Sequence, residues 1–318
     1  MGNKIITLTL NPVVDKKCNV PTFVPNQKIP CSPPLYYAGG GGINVSRALS
    51  NLGVNSTAIY LSGGRIGDHL NQLLNIERIR KYPIGLENNT RENLTVTDTY
   101  TQLQYRFGLP GPFVNTIEWK LVLDRIGAQL NEGDFLVASG KLPPGIPENF
   151  YYLVGKLVAE KKGKFILDTK GPALIHAIKA PILILKPNLA ELAYLCKVDS
   201  ISASTIEPLT RKLIKTYPIK KIVVSLGSKG ALLVTPNLSK YIEAPVVPQA
   251  SIIGAGDSMV AGMISSLMSD KTDIEMTQFG VACGSATTMR PSSQLCCKDD
   301  VTTIYRWMEK NTVTKEVY

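Results

Sequence analysis

The sequence predicts an α/β protein: a doubly wound, mostly parallel sheet with helices on both faces, plus a small separate β-sheet. Three observations lead there. DFLVAS (134–139), KFILDT (164–169), PILILK (181–186) and KIVVSLG (221–227) are almost continuously apolar. Strands buried on both faces of a parallel sheet read this way. Helical stretches at 147–161, 188–196 and 204–216 separate them, and such alternation marks the doubly wound architecture. Two segments, 18–40 and 93–111, break the rhythm. The first is rich in Pro and Val, and the second alternates and is rich in Thr and Tyr, a β signature. Together they predict a small sheet with exposed edges. A lid or a dimer contact would cover them, and plain surface hairpins are the alternative.

The remaining elements follow in order. KIITLTL (4–10) is β-branched and apolar, a first buried strand. GINVSRALSNLG (42–53) sets Ile43, Leu49 and Leu52 on one stripe and stops at Gly53. NSTAIYLS (55–62) is strand-like, and GDHLNQLLN (67–75) is a short helix. VVSLGSKGALL (223–233) reads as strand, glycine turn, strand. Two helical stretches occupy 257–289 and a third occupies 299–310.

Composition excludes several functions. The chain has 318 residues, enough for one large domain or two modest ones. No run reaches roughly 18 uninterrupted apolar residues, so no membrane span is expected. The six cysteines form no CxxC pair, which argues against structural zinc and for reduced thiols in the cytoplasm. The two histidines, His69 and His176, stand near no GxSxG motif, which disfavours Ser-His-Asp and His-metal chemistry. The net charge of +10 favours anionic partners. Its basic residues are scattered and not interleaved with aromatics, so nucleic acid is not the expected partner.

Three stretches can carry chemistry. AGGGGINVSRAL (38–49) brings four glycines into a helix start, where backbone can approach a ligand and free N–H groups face it. Asn44, in the first turn, can bond a hydroxyl. LKPNLAEL (185–192) follows a strand end, where ligands of open α/β sheets bind. Its Lys186, Asn188 and Glu191 suit a nucleotide with Mg²⁺, or else Asn188 simply caps a helix. GAGDSMVAGM (254–263) sets Gly254, Ala255 and Gly256 beside Asp257. An isolated Asp there is usually a cap or a dipole partner. Beside an anion cradle it is laid out for phosphoryl transfer: the N–H groups hold charge and the carboxylate takes the proton. No GxxxxGK[ST] and no GxGxxG after the first strand occur, so a P-loop or dinucleotide site is not expected.

GGGGINVSRAL and IGAGDSMVAGM, in this order and about 210 residues apart, resemble the two signatures of the ribokinase-like (PfkB) carbohydrate kinases. GGRIGDHL, TRENLTV, SGKLPPG, LKPNLAEL and VVSLGSKGALL agree with this, and the resemblance runs almost end to end. It implies a ribokinase-like fold in a single kinase domain over 1–318, with lid segments at about 18–40 and 93–111. TLNPVVD and SGKLPPG resemble the phosphosugar branch, and QYRFGLPG, GAGDSM and FGVACGSAT resemble its type-2 bacterial 6-phosphofructokinases. The implied reaction is transfer from ATP to the C1 hydroxyl of fructose 6-phosphate, giving fructose 1,6-bisphosphate in glycolysis. Fructose 1-phosphate and tagatose 6-phosphate are the alternative acceptors.

By resemblance, Asp257 is the catalytic base and Gly254, Ala255 and Gly256 are the anion hole. Asp15 and Gly39, Gly40, Gly41, Gly42, Ile43 and Asn44 match the sugar-hydroxyl site. Arg91 and Ser139 match the grip on the substrate's phosphate end. Lys28, in the lid-like segment, matches a lysine that reaches phosphate. Lys186, Asn188, Ser285 and the turn Ser225, Leu226, Gly227, Ser228, Lys229 and Gly230 match the nucleotide side. Glu191 matches the Mg²⁺ region, directly or through water, and Ser251 and Ile253 match a K⁺ loop. The resemblance also implies a cytoplasmic homodimer joined through the lids. RPSSQLCCKDD departs from the family: Arg290, Ser292 and Gln294 stand where relatives carry Asn, Gly and Arg. That bears on K⁺ and nucleotide affinity, not on the catalytic centre.

Overall fold

A computed structural model of the chain describes residues 3–291 and 294–311. The N-terminal part runs β1 (Ile5–Thr9), β2 (Val13–Val20), β3 (Leu35–Gly39), α1 (Gly41–Asn51), β4 (Thr57–Gly63), α2 (Gly64–Ile76) and β5 (Lys81–Leu86). Next come β6 (Arg91–Asp98), β7 (Gln104–Gly108), α3 (Thr116–Gln129), β8 (Phe135–Ser139), α4 (Phe150–Glu160), β9 (Lys164–Asp168) and α5 (Pro172–Ala177). The remainder is β10 (Ile182–Leu185), α6 (Leu189–Cys196), α7 (Ala203–Thr216), β11 (Ile219–Ser225), β12 (Gly230–Val234), β13 (Ser239–Glu243), α8 (Ala255–Leu267), α9 (Asp273–Thr288) and α10 (Lys298–Asn311).

Nine strands form the large sheet in the order β13-β12-β11-β10-β9-β8-β1-β4-β5. It is parallel from β11 to β5, and β12 and β13 join antiparallel at one edge. The strands alternate by two, so neighbouring residues enter opposite layers. Ile6 and Leu136 pack with α3, α4, α6 and α7 on one face. Ile5 and Val137 pack with α1, α8, α9 and α10 on the other. That two-sided burial explains the continuously apolar runs. β5 was not readable in the sequence. Its KYPIGL contains Pro and Gly, tolerated because it lies at the sheet edge. Polar SKYIE, the strand β13, is the other edge.

The small sheet has the order β3-β2-β6-β7, with β2 and β6 parallel at its centre. Its strands differ from the predicted segments in one respect. β2 begins at Val13, and residues 21–34 form an irregular connection instead of strand. Asp98 ties that connection to the sheet, accepting from the Phe23, Tyr100 and Thr101 N–H groups at 3.0, 2.9 and 2.9 Å.

The C-terminal ends of β1, β8, β9, β10 and β11 bring Thr9, Ser139, Asp168, Lys186 and Ser225 to one rim of the sheet, and α1 and α8 point their N-termini there. The placement of α8 depends on close contact with α9. A Cβ on Gly262 would lie 2.6 Å from Cys283 Sγ and 3.0 Å from Gly280 Cα. Gly262→Ala is therefore expected to cost about 1–3 kcal/mol through overpacking, read as a lower Tm in thermal unfolding. An unchanged Tm would refute so tight a crossing.

Candidate active site

Asp257 lies in the first turn of α8, whose N-cap Gly254 has φ +77°. That left-handed backbone suits glycine and turns the chain into the helix. Asn44 Nδ2 donates to Asp257 Oδ2 at 2.9 Å, and Ser139 Oγ donates to Oδ1 at 3.2 Å. Asn44 is itself held by Arg47, which donates to Asn44 Oδ1 at 3.4 Å and to the Ala38 carbonyl at 2.9 Å. Arg47 also grips Glu77 through two bonds, at 2.5 and 2.8 Å. Burial and the nearby charge of Asp168 push the Asp257 carboxyl up to about 6, against the pull of Asn44, Lys186 and Ser139. A carboxylate at that value is suited to take a proton near neutral pH.

Lys186 is 5% exposed and pairs with Asp168 Oδ2 at 3.1 Å. Burial works to lower its pKa, but Asp168, Glu191 and Asp257 outweigh it and keep the ammonium charged. A Cβ on Gly256 would lie 3.5 Å from Lys186 Nζ, so the cation stands over the start of α8. In that first turn, N–H groups lack intrahelical acceptors. The Ala255 N–H leans on the Ile252 carbonyl at 3.4 Å.

Asn188 and Glu191 form a capping box at the start of α6: Asn188 Oδ1 accepts from the Glu191 N–H and Glu191 Oε2 accepts from the Asn188 N–H, each at 2.9 Å. The capping alternative is thus realised, and it fixes both side chains at the rim. Burial and Asp168 raise the Glu191 carboxyl, although the bond from Asn188 pulls it down. Carboxylates crowded this way favour a cation. Mg²⁺ takes one or two carboxylates plus substrate phosphates and needs no protein cage, so Glu191 fits such an ion.

A cavity of about 450 Å³ opens beside these groups, between Asn188, Ser225, Gly227 and Ser285 on its polar side and Val246 and Met259 on its apolar side. Ser228 and Gly230 also line it. Two residues of the predicted turn do not. Leu226 is apolar and packs, partly buried, against the core, and Lys229 is exposed.

Within the run Gly39, Gly40, Gly41 and Gly42, only Gly40, at φ +116°, has a left-handed backbone that calls for glycine. Packing accounts for its neighbours. A Cβ would meet Ser139 Oγ at 2.1 Å from Gly41, the Leu8 carbonyl at 2.4 Å from Gly42, and Asp15 Oδ2 at 2.6 Å from Gly39. Ile43 corrects the prediction: its side chain is wholly buried and its N–H bonds Thr9 Oγ1 at 2.8 Å, so it is core and not a sugar contact.

On the lid, Asp15 accepts from Asn93 Nδ2 at 2.9 Å. Arg91 bonds the Asn11 and Leu109 carbonyls at 3.2 and 3.3 Å, while its buried Nε has no partner. Burial lowers its pKa and Asp15 opposes this. Ser139 joins Asp257, not Arg91, because β8 ends against α1 and α8. Lys28 is exposed on the irregular connection. The Ile253 N–H donates to Ser251 Oγ at 3.2 Å. Arg290 is turned to α10, bonding Asp300 and Cys297 Sγ. Gln294 lines a separate cavity with Arg47, Arg290 and Cys297, and Ser292 lies outside the described residues. The sequence reading missed Asp168, Arg47 and Asn93. Asp168, the last residue of an apolar parallel strand, carried a usable signal; the other two carried none. All six cysteines are free, and among the described residues no helix is long and apolar enough to cross a membrane.

The glycine-flanked carboxylate, the cation over a helix start and the adjoining cavity have the layout that phosphoryl transfer needs, and the pfkB family carbohydrate kinase pattern matches residues 8–300. The chain belongs to that family. It is 36% identical over 310 residues to the ATP-dependent 6-phosphofructokinase isozyme 2 of Escherichia coli, covering 96% of this chain and 99% of that one. Solved structures of E. coli phosphofructokinase-2 with potassium and with fructose-6-phosphate match at TM-scores of 0.93 and 0.90. Each is 35% identical and covers 97% of this chain and 100% of that one. A 1-phosphofructokinase of Bacillus subtilis is 30% identical over 284 residues, 89% of this chain and 92% of that one. The ribokinase of Thermotoga maritima shares the fold, with a TM-score of 0.77 at 21% identity over 96% of this chain and 99% of its own.

The pH profile tests the site. A carboxylate can take a proton only when ionised, so with Asp257 in the role of base kcat/KM is expected to fall about tenfold per unit below pH of about 6. Asn44→Ala removes a bond that lowers the carboxyl, so the acid limb should move upward. A flat profile between pH 5 and 7 would exclude Asp257 as the base.

Proposed function

We propose that the chain is an ATP-dependent 6-phosphofructokinase that works as one kinase unit over 1–318, its lid closing from about 18–40 and 93–111. The observation that carries this is Asp257, a carboxyl raised to about 6 between Asn44 and Ser139 at the start of α8. In the proposed reaction, Asp257 takes the proton of the C1 hydroxyl of fructose 6-phosphate. That oxygen bonds the γ-phosphorus of ATP as the bond to the β-phosphate oxygen breaks, and ADP leaves. Charge on the moving group is met by the α8 N–H groups at Gly254, Ala255 and Gly256 and by Lys186. Asp15 and Asn44 orient the sugar hydroxyls. The cavity at Ser225, Gly227 and Ser285 takes the nucleotide, with apolar walls for its base. Glu191 holds Mg²⁺, which when bound neutralises the β- and γ-phosphates.

Arg91 is the proposed grip on the sugar's phosphate, because its planar fork suits a dianion and its buried Nε has no partner. Fructose 1-phosphate and tagatose 6-phosphate are the alternative acceptors, the first supported by the 1-phosphofructokinase relative and the second by similarity to a tagatose-6-phosphate kinase of Staphylococcus epidermidis. A K⁺ loop at Ser251 and Ile253 and a cytoplasmic homodimer joined through the lids complete the reading. The exposed apolar side chains of the lid, Leu35, Tyr105 and Phe107 among them, support the dimer.

Comparing kcat/KM for the three acceptors tests the substrate, with fructose 6-phosphate expected to lead. Asp257→Asn is expected to lower kcat about 10²–10⁴-fold while both ligands still bind; near-normal turnover would refute the role of base. Arg91→Ala is expected to raise the KM for the phosphosugar about tenfold or more and leave that for ATP little changed. Equal effects on both would sink the assignment.

A further inference from the structure

The cleft face of the lid carries more positive charge than one phosphate grip requires. In the lid register, Val13 pairs with Arg91, Asp15 with Asn93 and Gly108, and Lys17 with Thr95 and Arg106. Side chains two apart share a face, so Arg91, the Asp15–Asn93 pair and the Lys17–Thr95–Arg106 row form successive rungs. At roughly 3.3 Å per residue, the last rung lies about 13 Å from the Arg91 rung along the strand. A cavity of about 340 Å³ opens between Asp15, Lys17, Asn93, Arg106 and Ile253. Ile253 immediately precedes Gly254, so this cavity adjoins the start of α8.

We propose that Lys17 and Arg106 form a second phosphate-binding subsite on the lid, beside the start of α8 and separate from Arg91. The inference rests on the kinase reading and extends it: a phosphate here links the lid to the catalytic helix. The ligand class is a phosphate monoester or polyphosphate, supplied by the sugar or by the nucleotide tail. Charged or titratable groups facing Lys17 include Asp15 on its own strand, Tyr37 on β3, whose ring centroid is 5.4 Å from Nζ, and Arg106 on β7. Burial lowers the Lys17 ammonium to about 8, Arg106 adding to the effect and Asp15 opposing it. The subsite therefore carries its full charge below pH of about 8 and loses one positive charge above it.

The test uses the full chain and steady-state kinetics at pH 7 and 9, varying fructose 6-phosphate and MgATP separately. Lys17→Met is expected to raise one of the two KM values about tenfold at pH 7, the cost of a lost charge-assisted bond, with a smaller effect on kcat. The wild type should show a rise in that same KM at pH 9. Lys17→Arg, charged at both pH values, should abolish the rise. Arg106→Met should raise that KM yet keep the pH dependence, because Lys17 still titrates. The KM that moves identifies the source as sugar phosphate or nucleotide. Unchanged KM values in both Lys17→Met and Arg106→Met would overturn the subsite. Failure of the kinase reading would be separate: the wild type itself would turn over none of the acceptors.

Discussion

The carboxylate of Asp257 is where three remote parts of the chain meet. Asn44 lies 213 residues away in sequence and Ser139 lies 118 away, yet both donate to it. Each donor is brought in by backbone packing. α1 can reach Asp257 only because Gly41 and Gly42 let its first turn rest on Ser139 and on the Leu8 carbonyl. α8 can present Asp257 only because Gly254 turns the chain and Gly262 lets the helix lie close on α9. Arg47 and Glu77 then fix Asn44 from behind. A carboxyl that is crowded but still bonded by two neutral donors stays available as a base, because those donors stabilise its ionised form.

Charge is divided across the cleft. The rim of the large sheet holds Asp168, Glu191 and Asp257 around one ammonium, Lys186. The lid holds Arg91, Arg106 and Lys17 around one carboxylate, Asp15. The rim, rich in carboxylates, thus suits a cation, and the small sheet, rich in cations, suits an anion. An opposite charge placed near either set lowers the cost of confining its like charges away from water.

Much of this was legible in the sequence, for physical reasons. Strands buried on two faces have to be apolar throughout, so β8 to β11 stand out, and a helix start that receives phosphate has to be small, so GAGD stands out. Edge strands obey neither demand: β5 contains Pro83 and β13 is polar, and neither was recognised. The glycine run is visible in the sequence, but its close packing is not: Gly41 and Gly42 lie against Ser139 and the Leu8 carbonyl, contacts made across the fold. Ile43 was assigned to the sugar through its neighbours, whereas its N–H belongs to Thr9. Arg47 and Asn93 act through partners far along the chain, and no local pattern encodes such contacts.

The parallel pairing of β2 with β6 has a consequence for the order of assembly. Val13 finds Arg91 only after the intervening chain, which includes α1, β4, α2 and β5, has been brought into place. The entropy of closing that long loop has to be met before any lid contact offsets it. Loop closure therefore leads us to expect the α/β layers around β1 and β4 to form before the small sheet. Its few buried contacts, Cys18, Val20 and Val96 with Ile29 and Leu94, make it the segment most readily opened from the folded state. A sheet held by so few buried contacts can separate from the layers beneath it without unfolding them.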